Sequence, residues 1–352
     1  MMPLRILICG TGLIAGHHAR AFGAMRGVEI AAAVDIEAER LSAFAETHGI
    51  ERQFTSLEEA IAWGGFDASS NATPDPVHHA TTLPLLAAGK HVLCEKPLAT
   101  TPADADEMAL KADAAGIVHM VNLTYRNVPA LNAARTLVAD GHLGDLRHFD
   151  AAYLQSWLTQ PAWGDWRTTN AWLWRLSTSH GSAGVLGDVG VHILDFLTFA
   201  AGEDITELSC QLTTFDKAPG NRIGDYDLDA NDTATMQARL SGGAAGVIHA
   251  SRFATGHLND LMLSLHGTKG ALQIKYRNGV DELHTCIGPD AMEAALWTVE
   301  APPDVPTNFE RFVAAVRRGT GIDPDFHRGA ALQHLLDLAQ RSDSEKGRRL
   351  TL

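Results

Sequence analysis

The sequence LRILICGTGLIA at residues 4–15 decides the fold of the first part of this chain. Its first six residues are almost all apolar, as in a strand that is buried on both faces of a parallel sheet. Gly10 and Gly12 then interrupt the apolar run, and a helical pattern follows over residues 13–25. A strand, a glycine-rich turn and a helix in this order are typical of the start of a βαβ unit.

Strand-like and helix-like patterns continue to alternate as far as residue 122. The predicted strands are 28–34, 66–71, 91–94 and 117–121, and the predicted helices are 37–48, 75–88 and 102–115. Strands alternating with helices at this spacing imply parallel pairing and right-handed crossovers. Residues 1–122 are therefore predicted to form an α/β domain with a doubly wound sheet, a Rossmann domain.

The pattern changes from residue 123 onwards. After a helix at 129–140, β-like segments follow with few helices between them, and turn-rich pieces such as 241–243 and 267–270 suit antiparallel hairpins. The predicted strands are 147–157, 205–215, 233–240, 245–252, 261–265, 272–276 and 282–287, with closing helices at 308–317 and 328–340. Residues 123–352 are thus predicted to be an α+β domain with a large, mainly antiparallel sheet and a long loop at 217–229.

Composition and charge narrow the class of protein. The chain has 352 residues, of which 45% are hydrophobic and 20% charged, as expected of a soluble two-domain enzyme. Its 28 basic and 42 acidic residues give a net charge of −14, which disfavours nucleic acid and anionic membranes as partners. No signal peptide precedes the first strand, and the scattered cysteines suit a reducing compartment, so we expect a cytoplasmic location. These cysteines are Cys9, Cys94, Cys210 and Cys286.

The glycine turn has the pattern of a dinucleotide site. In Gly10-x-Gly12-x-x-Ala15, the first glycine permits a tight turn, the second lets the backbone approach a pyrophosphate, and the small alanine lets helix and strand pack closely. The free N–H groups at the start of the helix favour the anionic phosphates. The turn lies between a strand and a helix, and a second strand with a terminal acid follows. In this context, a glycine turn that binds no nucleotide is improbable.

Asp35 is that terminal acid, and it predicts which dinucleotide is bound. It ends the second strand 20 residues after Ala15, where a carboxylate can accept hydrogen bonds from ribose hydroxyls. The same carboxylate would repel a 2′-phosphate, and Ile36 offers no charge to offset this. Arg40, a turn into the following helix, is the nearest cation. We therefore predict NAD in preference to NADP.

A second dense stretch surrounds Asp188 and His192. If residues 189–199 are helical, Asp188 at the N-cap and His192 four residues later lie on one side. A histidine can remove a proton from an alcohol and later return it. The alternative is structural, with Asp188 capping the helix and His192 buried and hydrogen-bonded. A metal site is not expected, because no third ligand lies at a recognisable spacing.

Five of the seven tryptophans lie between residues 157 and 174. Indole faces pack well against the C–H faces of sugar rings, and arginines such as Arg167 and Arg175 could donate to hydroxyls. The alternative is a loop held in place by its tryptophans, and for a single tryptophan the two interpretations have about equal weight.

Taken together, these motifs resemble those of the glucose–fructose oxidoreductase and inositol dehydrogenase family, Gfo/Idh/MocA. The likeness covers most of the chain, and its most specific motifs are Glu-Lys-Pro at 95–97 and Asp-x-Gly-x-His at 188–192. One minor departure is that the family often has consecutive glycines before the aspartate, where this chain has Gly184 and Gly187. The other matching segments are 10–15, 71–74 with His78, 89–97, Arg126-x-x-Pro129, 166–167 and Asp195.

The resemblance implies a set of site residues. Lys96, Asp188 and His192 would be catalytic, with His192 as general base, Lys96 hydrogen-bonded to the reacting oxygen, and Asp188 orienting an adjacent hydroxyl or the lysine. The implied cofactor contacts are Gly10, Gly12, Leu13, Ile14, Asp35, Asn71, Thr73, Pro74, His78, Glu95, Lys96 and Asn122. The implied substrate contacts are Arg126, Trp163, Trp166, Arg167, Asp188 and His192.

The function that the resemblance implies is NAD-dependent oxidation of a secondary hydroxyl on a cyclic polyol or sugar, such as an inositol, aldose, anhydrosugar or glycoside. The family also implies a homodimer or homotetramer formed through the open face of the second domain's sheet. Two alternatives are a redox-neutral NAD-dependent glycosidase and a non-catalytic NAD-binding regulator, of which the regulator would need a broken catalytic set. The role of Glu95 stays open: it could tune Lys96, contact the cofactor or only fix the turn.

Overall fold

The computed structural model describes residues 2–161 and 163–352, which form two units. The first unit comprises residues 2–124 and 306–333, and the second comprises 125–305 and 334–352. The change of pattern at residue 123 predicts that 306–333 belongs to the second domain, whereas in the structure this segment packs with the first unit. No helix within the described ranges is both long and apolar enough to cross a bilayer.

The first unit is built on a six-stranded parallel sheet in the order β3-β2-β1-β4-β5-β6. This is the doubly wound sheet that the alternating pattern predicts. Strand β3 and helix α3 have no counterpart among the sequence predictions. Strand β3 has only two residues and therefore no detectable period. The elements are β1 (Leu4–Cys9), α1 (Leu13–Gly23), β2 (Val28–Val34), α2 (Ala38–His48), β3 (Gln53–Phe54), α3 (Leu57–Trp63), β4 (Ala68–Asn71), α4 (His78–Ala87), β5 (His91–Cys94), α5 (Pro102–Ala115) and β6 (His119–Val121).

Local sequence explains where these helices begin and end. Thr101 accepts a hydrogen bond from the backbone N–H of Asp104 at 3.2 Å, and Pro102 occupies the first position of α5. Gly116 ends this helix in the left-handed conformation, with φ of +63°. The segment predicted as one helix at 75–88 begins instead with a 3₁₀ turn, Asp75–Val77, before α4.

The second unit contains a nine-stranded mixed sheet in the order β16-β15-β14-β13-β7-β12-β11-β8-β17. Strands β12 and β7 pair in parallel, and all other pairs in this sheet are antiparallel. The elements that follow residue 124 along the chain are α6 (Pro129–Ala139), β7 (Leu146–Gln155), α7 (Asn170–Leu173), α8 (Val191–Ala201), β8 (Ile205–Thr213), β9 (Arg222–Ile223), β10 (Tyr226–Asp227), β11 (Thr233–Leu240), β12 (Ala245–Ser251), β13 (Asn259–Gly267), β14 (Gly270–Arg277), β15 (Val280–Ile287), α9 (Pro289–Ala294), β16 (Thr298–Glu300), α10 (Asn308–Arg318), α11 (Phe326–Ser344) and β17 (Leu350–Thr351). Of these, α10 and residues 326–333 of α11 belong to the first unit.

Two features of the C-terminal half differ from the sequence predictions. The segment 217–229 is not purely a loop, since β9 and β10 form a short antiparallel hairpin within it. Helix α10 belongs to the first unit because Phe312 and Val313 lie in the same buried cluster as Ile6 and Ile8 of β1. A capping box at Thr307 and Glu310 starts this helix.

Candidate functional site

The turn between β1 and α1 meets the requirements of a pyrophosphate-binding turn. Gly10 has φ of +79°, and a Cβ atom there would lie 2.8 Å from the carbonyl oxygen of Ala72, so no other residue fits without displacement. A Cβ atom added at Gly12 would have no heavy atom within 4 Å, so the space beside this glycine is open. No side chain caps the start of α1, and its first turn carries no acidic residue. The N–H groups there are thus left for an anion.

Two large apolar side chains are exposed at the same turn. Leu13 is 76% and Ile14 is 42% exposed, although both begin a helix that is otherwise packed on the sheet. Exposed apolar side chains beside a glycine turn are a suitable surface for a ligand with flat rings and a pyrophosphate. Together with the glycine geometry, this environment fits a dinucleotide.

Asp35 lies at the end of β2, where its carboxylate is fixed by several donors. Thr11 donates its backbone N–H at 2.8 Å and its hydroxyl at 2.7 Å, and Arg40 donates to the other oxygen at 2.6 Å. The backbone N–H of Glu37 adds a bond of 2.9 Å. Burial alone would raise the pKa of Asp35, but these donors lower it below its usual value. The carboxylate is therefore kept ionised and oriented.

Asn71 ends β4, and Thr73 and Pro74 lie in the loop that follows it. The amide of Asn71 donates to the hydroxyls of Thr81 and Thr82 in α4, at 2.8 and 2.9 Å. The side-chain oxygen Oδ1 of Asn71 accepts a hydrogen bond from the Thr73 hydroxyl at 2.7 Å. Asn71 is fully buried, so it shapes this loop from beneath.

Glu95 and Lys96 follow β5, and Glu95 is held in a buried hydrogen-bond network. Its Oε1 accepts from Nε2 of His18 at 2.9 Å and from the amide of Asn122 at 2.6 Å. Nδ1 of His18 lies 2.6 Å from the Ser70 hydroxyl. Burial would raise the pKa of Glu95, but His18, Lys96 and Asn122 together lower it to about 2. Glu95 is thus a buried carboxylate enclosed by protein donors, and its Oε2 also accepts the backbone N–H of Lys96 at 3.3 Å.

His78 begins α4, and its ring is completely buried. Its two ring nitrogens lie 2.8 Å from the carbonyl oxygens of Thr73 and Pro97. The ring therefore contacts the loop after β4 and the turn after β5. Asn122 is another buried polar group of the first unit, and its amide oxygen accepts from Asn308 at 2.9 Å.

In the second unit, Asp188 lies in a single π-helical turn, Leu186–Gly190, that leads directly into α8. Asp188 is therefore not the N-cap that the sequence suggested. Its side chain is 31% exposed, and Oδ2 accepts from Arg252 at 3.0 Å. The fully buried Arg252 also donates to the carbonyls of Arg175 and Gly184, both at 3.0 Å. A π turn is frequent at functional sites, because it re-aims a side chain within a helix.

Arg252 is also influenced by a second acid, Asp232. Burial lowers the pKa of Arg252, whereas Asp188 and Asp232 raise it. Asp232 in turn bonds Lys217 at 2.6 Å, with both side chains fully buried. Charges of alternating sign thus extend inward from the partly exposed carboxylate of Asp188, through Arg252 and Asp232 to Lys217. Nothing in the local sequence marks Arg252, because it lies 64 residues from Asp188.

His192 lies in the first turn of α8 and is 8% exposed. Tyr125 and Tyr153 face it edge-on, with ring centroids 5.0 and 6.1 Å away. The two tyrosine hydroxyls are 2.5 Å apart, and Asn259 bonds both of them. Burial raises the pKa of Tyr125 to about 12 and that of Tyr153 well above its usual value, so these hydroxyls stay neutral. No sequence motif marks the tyrosines, which reach His192 through the fold.

The tryptophan segment is partly core and partly surface. Trp166 is buried and donates to the carbonyl of Leu158 at 3.3 Å, whereas Trp163 is 40% exposed and stacks on Trp172 at 6.1 Å. Arg167 is exposed and lies over the Trp166 ring at 4.7 Å. Trp163 and Arg167 thus offer an aromatic face and a donor to a ligand, with Trp172 packed against Trp163 and Trp166 against Arg167.

Arg126 is buried rather than exposed. Its guanidinium donates to both oxygens of Asp195, at 2.6 and 2.8 Å, and lies over the Phe199 ring at 3.7 Å. Both partners are on α8, so the arginine fixes the helix that carries His192. In the described ranges, no cluster of three or more histidine, cysteine, aspartate or glutamate residues could hold a metal ion.

Comparison with known families and proteins extends these observations. Residues 4–123 match the model of the oxidoreductase family with an NAD-binding Rossmann fold, and residues 131–273 match the GFO/IDH/MocA C-terminal domain. A 1,5-anhydro-D-fructose reductase of Ensifer adhaerens is 33% identical over 71% of this chain and 70% of its own length. The chain belongs to the Gfo/Idh/MocA family. It is therefore an enzyme of the oxidoreductase class with an NAD-binding domain.

Other members of the Gfo/Idh/MocA family are also similar. A levoglucosan dehydrogenase of Pseudarthrobacter phenanthrenivorans is 27% identical over 82% of this chain and 78% of its own length. A solved levoglucosan dehydrogenase in complex with NADH and levoglucosan superimposes with a TM-score of 0.88 at 23% identity, covering 100% of this chain and 99% of that one. At this identity, the structural match supports the fold alone.

Proposed function

We propose that this enzyme oxidises a secondary hydroxyl of a cyclic polyol or sugar, with NAD as the acceptor. The observation that carries the proposal is that this member of the family has both a complete glycine turn and a partly exposed Asp188 carboxylate four residues before His192. Relatives named for levoglucosan and 1,5-anhydro-D-fructose place anhydrosugars first among the substrates to test. A sugar ring presents adjacent hydroxyls to a carboxylate and C–H faces to an indole.

We assign catalysis to Lys96, Asp188 and His192. Bound NAD would supply the hydride acceptor. His192 takes the proton of the reacting hydroxyl, the carbinol hydrogen leaves as hydride with both electrons of its C–H bond, and a ketone remains. Lys96 donates to the reacting oxygen, and Asp188 accepts from the neighbouring hydroxyl.

We assign cofactor binding to the loops of the first unit that carry the residues expected from sequence. Gly10, Gly12, Leu13 and Ile14 would border the pyrophosphate and adenosine, and Asp35 would accept from the ribose. The loops after β4 and β5, with Glu95 and Asn122 beneath them, would shape the nicotinamide end. NAD is preferred to NADP because the ionised Asp35 repels a 2′-phosphate.

We assign substrate contacts in the second unit to Trp163, Arg167, Asp188 and His192, with Trp166 and Arg126 supporting them from buried positions.

Homodimers or homotetramers would form through the nine-stranded sheet. A hollow of about 250 Å³ on this sheet includes Val247, which is 39% exposed on a central strand. The molecular mass in solution tests this assembly: wild type should have the mass of a dimer or tetramer, and Val247→Glu a smaller mass.

The buried thiols of the four cysteines support a reducing, cytoplasmic compartment.

The decisive experiment is a screen of initial rates of NAD reduction, followed at 340 nm. The panel contains inositols, aldoses, anhydrosugars and sugar acids, and we expect at least one cyclic compound to be oxidised. Lys96→Ala should abolish most turnover while NADH binding persists, whereas Lys111→Ala on the exposed face of α5 should behave as wild type. Cleavage of a nitrophenyl glycoside without NADH accumulation would replace the proposal with the redox-neutral glycosidase. A fully active Lys96→Ala would refute the catalytic assignment.

A further inference from the structure

His78 occupies an unusual position for a histidine, because both of its ring nitrogens face acceptors. Nδ1 lies 2.8 Å from the carbonyl oxygen of Pro97, and Nε2 lies 2.8 Å from that of Thr73. The side chain is 0% exposed, so water does not compete for either nitrogen. All three residues belong to the first unit.

The chemistry of these acceptors determines the protonation state of the ring. A peptide carbonyl only accepts hydrogen bonds, so each ring nitrogen must donate one. Neutral imidazole carries a single N–H, and its other nitrogen would face a carbonyl lone pair inside the protein. Imidazolium carries two N–H groups and satisfies both contacts. The geometry therefore requires a doubly protonated ring.

The groups around His78 support this state. Burial by itself would lower the pKa, because it penalises the charged form. Cys94, Asp75 and the Pro97 carbonyl oppose burial and raise the pKa to about 10. The ring would therefore carry its charge throughout the range in which most enzymes work.

The two carbonyls lie in loops that follow neighbouring parallel strands, β4 and β5. The first loop holds Thr73, and the turn after β5 holds Lys96. We propose that His78 is a permanently charged positioning residue, whose imidazolium ties these two loops together and so holds Lys96 in place without contacting the cofactor. The part of this inference that concerns Lys96 rests on the proposed function, whereas the charge state does not.

The charge state can be measured on the native protein. In a long-range proton–nitrogen NMR correlation of ¹⁵N-histidine-labelled enzyme, both ring nitrogens of His78 should remain protonated from pH 6 to 9. In urea, the same residue should lose a proton near 6.5, the ordinary value for histidine. Assignment uses the loss of its signals in His78→Gln and, without any variant, magnetisation transfer from the ring N–H groups to Thr73 and Pro97. An unprotonated ring nitrogen at pH 7 to 8 would overturn the proposal.

The positioning role is tested by steady-state kinetics with a matched pair of variants. His78→Gln keeps a neutral donor but loses the charge and the second donor position, while His79→Gln alters the next residue, which contacts Glu107. We expect turnover of His78→Gln to fall about tenfold or more, because small misplacements of catalytic groups are costly. NADH affinity should change less than about threefold, and His79→Gln should resemble wild type.

The two measurements fail in different ways. Equal turnover of wild type and His78→Gln, or a loss of NADH affinity that matches the loss of turnover, would overturn the positioning role. If wild type oxidised no polyol or sugar, the proposed function would fail, and the NMR result would still decide whether the ring is permanently charged.

Discussion

Glu95 in the first unit and Asp188 in the second are both carboxylates in segments assigned to catalysis, but their surroundings differ. The Glu95 side chain is 8% exposed and is held by His18 and by the amide of Asn122. The Asp188 side chain is 31% exposed and has the fully buried Arg252 on one of its oxygens. The first carboxylate is enclosed by protein donors, and the second presents part of its surface outward.

This difference separates two ways in which an acid can serve a site. An enclosed carboxylate with short hydrogen bonds fixes the backbone around it, and its contribution is to stability and position. A carboxylate with an exposed face and an arginine behind it can accept a hydrogen bond from a ligand while its orientation is kept. We therefore infer that Glu95 sets the turn that carries Lys96, whereas Asp188 contacts substrate.

The largest effect is expected for Asp188→Asn, which keeps the shape of the side chain and removes its charge. Turnover of the best sugar substrate should fall about 100-fold, or near 3 kcal/mol of transition-state stabilisation. NADH affinity, measured by fluorescence titration, should be unchanged. Asp145→Asn is the control, because that acid is 74% exposed and pairs with Arg147. Wild-type turnover in Asp188→Asn would remove Asp188 from the catalytic set.

Glu95→Gln should mainly reduce stability, by about 1.5–3 kcal/mol at neutral pH, because hydrogen bonds to a buried charge are lost. The pKa of Glu95 is about 2 in the folded protein and 4.5 ordinarily. The unfolded chain thus binds more protons between these values, and the stabilisation is complete above about pH 5 and lost as the pH falls towards 2.

Chemical denaturation at pH 7 and pH 3.5 measures this effect. The gap in unfolding free energy between wild type and Glu95→Gln should narrow at the lower pH. Glu46→Gln, at an exposed position of α2, should show no such pH dependence. A gap that widened in acid would contradict the assignment of Glu95 as a buried, ionised carboxylate.

Arg252→Lys should cost about tenfold in turnover, or 1.4 kcal/mol. Lysine keeps the charge but lacks the planar fork that donates at once to Asp188 and to the carbonyls of Arg175 and Gly184. The KM for the sugar should rise with the loss of turnover, while NADH binding stays constant. Arg239→Lys, on the surface with Glu207, is the matched control. A lower melting temperature with unaltered kinetics would show that Arg252 only supports the fold.

The sequence predicts those elements whose bounds are determined by neighbouring residues. The glycine turn, β1, β2, β5 and α5 follow from local periodicity and caps, and their predicted bounds agree with the structure within two residues. Helix α10 was assigned to the second domain instead, because its amphipathic pattern does not reveal that Phe312 packs with Ile6 and Ile8.

The site shows the same limit. Sequence motifs mark Glu95 and Asp188, but the groups that determine their roles are distant: His18 lies 77 residues from Glu95, and Arg252 lies 64 residues from Asp188. Such partners have no common motif, since His18 lies in helix α1 and Arg252 directly follows strand β12. The burial that distinguishes the two carboxylates is likewise a product of packing, so it could not be predicted from the motifs.

The surroundings of Asp35 are intermediate between those of Glu95 and Asp188, because Asp35 is nearly buried but has a partly exposed arginine as a partner. Arg40→Ala tests the role of Asp35 in cofactor preference, and its expected effect is the smallest of those described. Arg40 is 50% exposed and partly neutralises an acid that is nearly buried. Its removal should strengthen repulsion of a 2′-phosphate and increase the ratio of kcat/KM for NAD over NADP about threefold, the range of a surface ion pair. Arg52→Ala is a control for loss of a nearby positive charge. A ratio that falls instead would mean that Arg40 favours NAD by orienting Asp35, and would place Asp35 with Glu95 as a carboxylate that depends on protein donors.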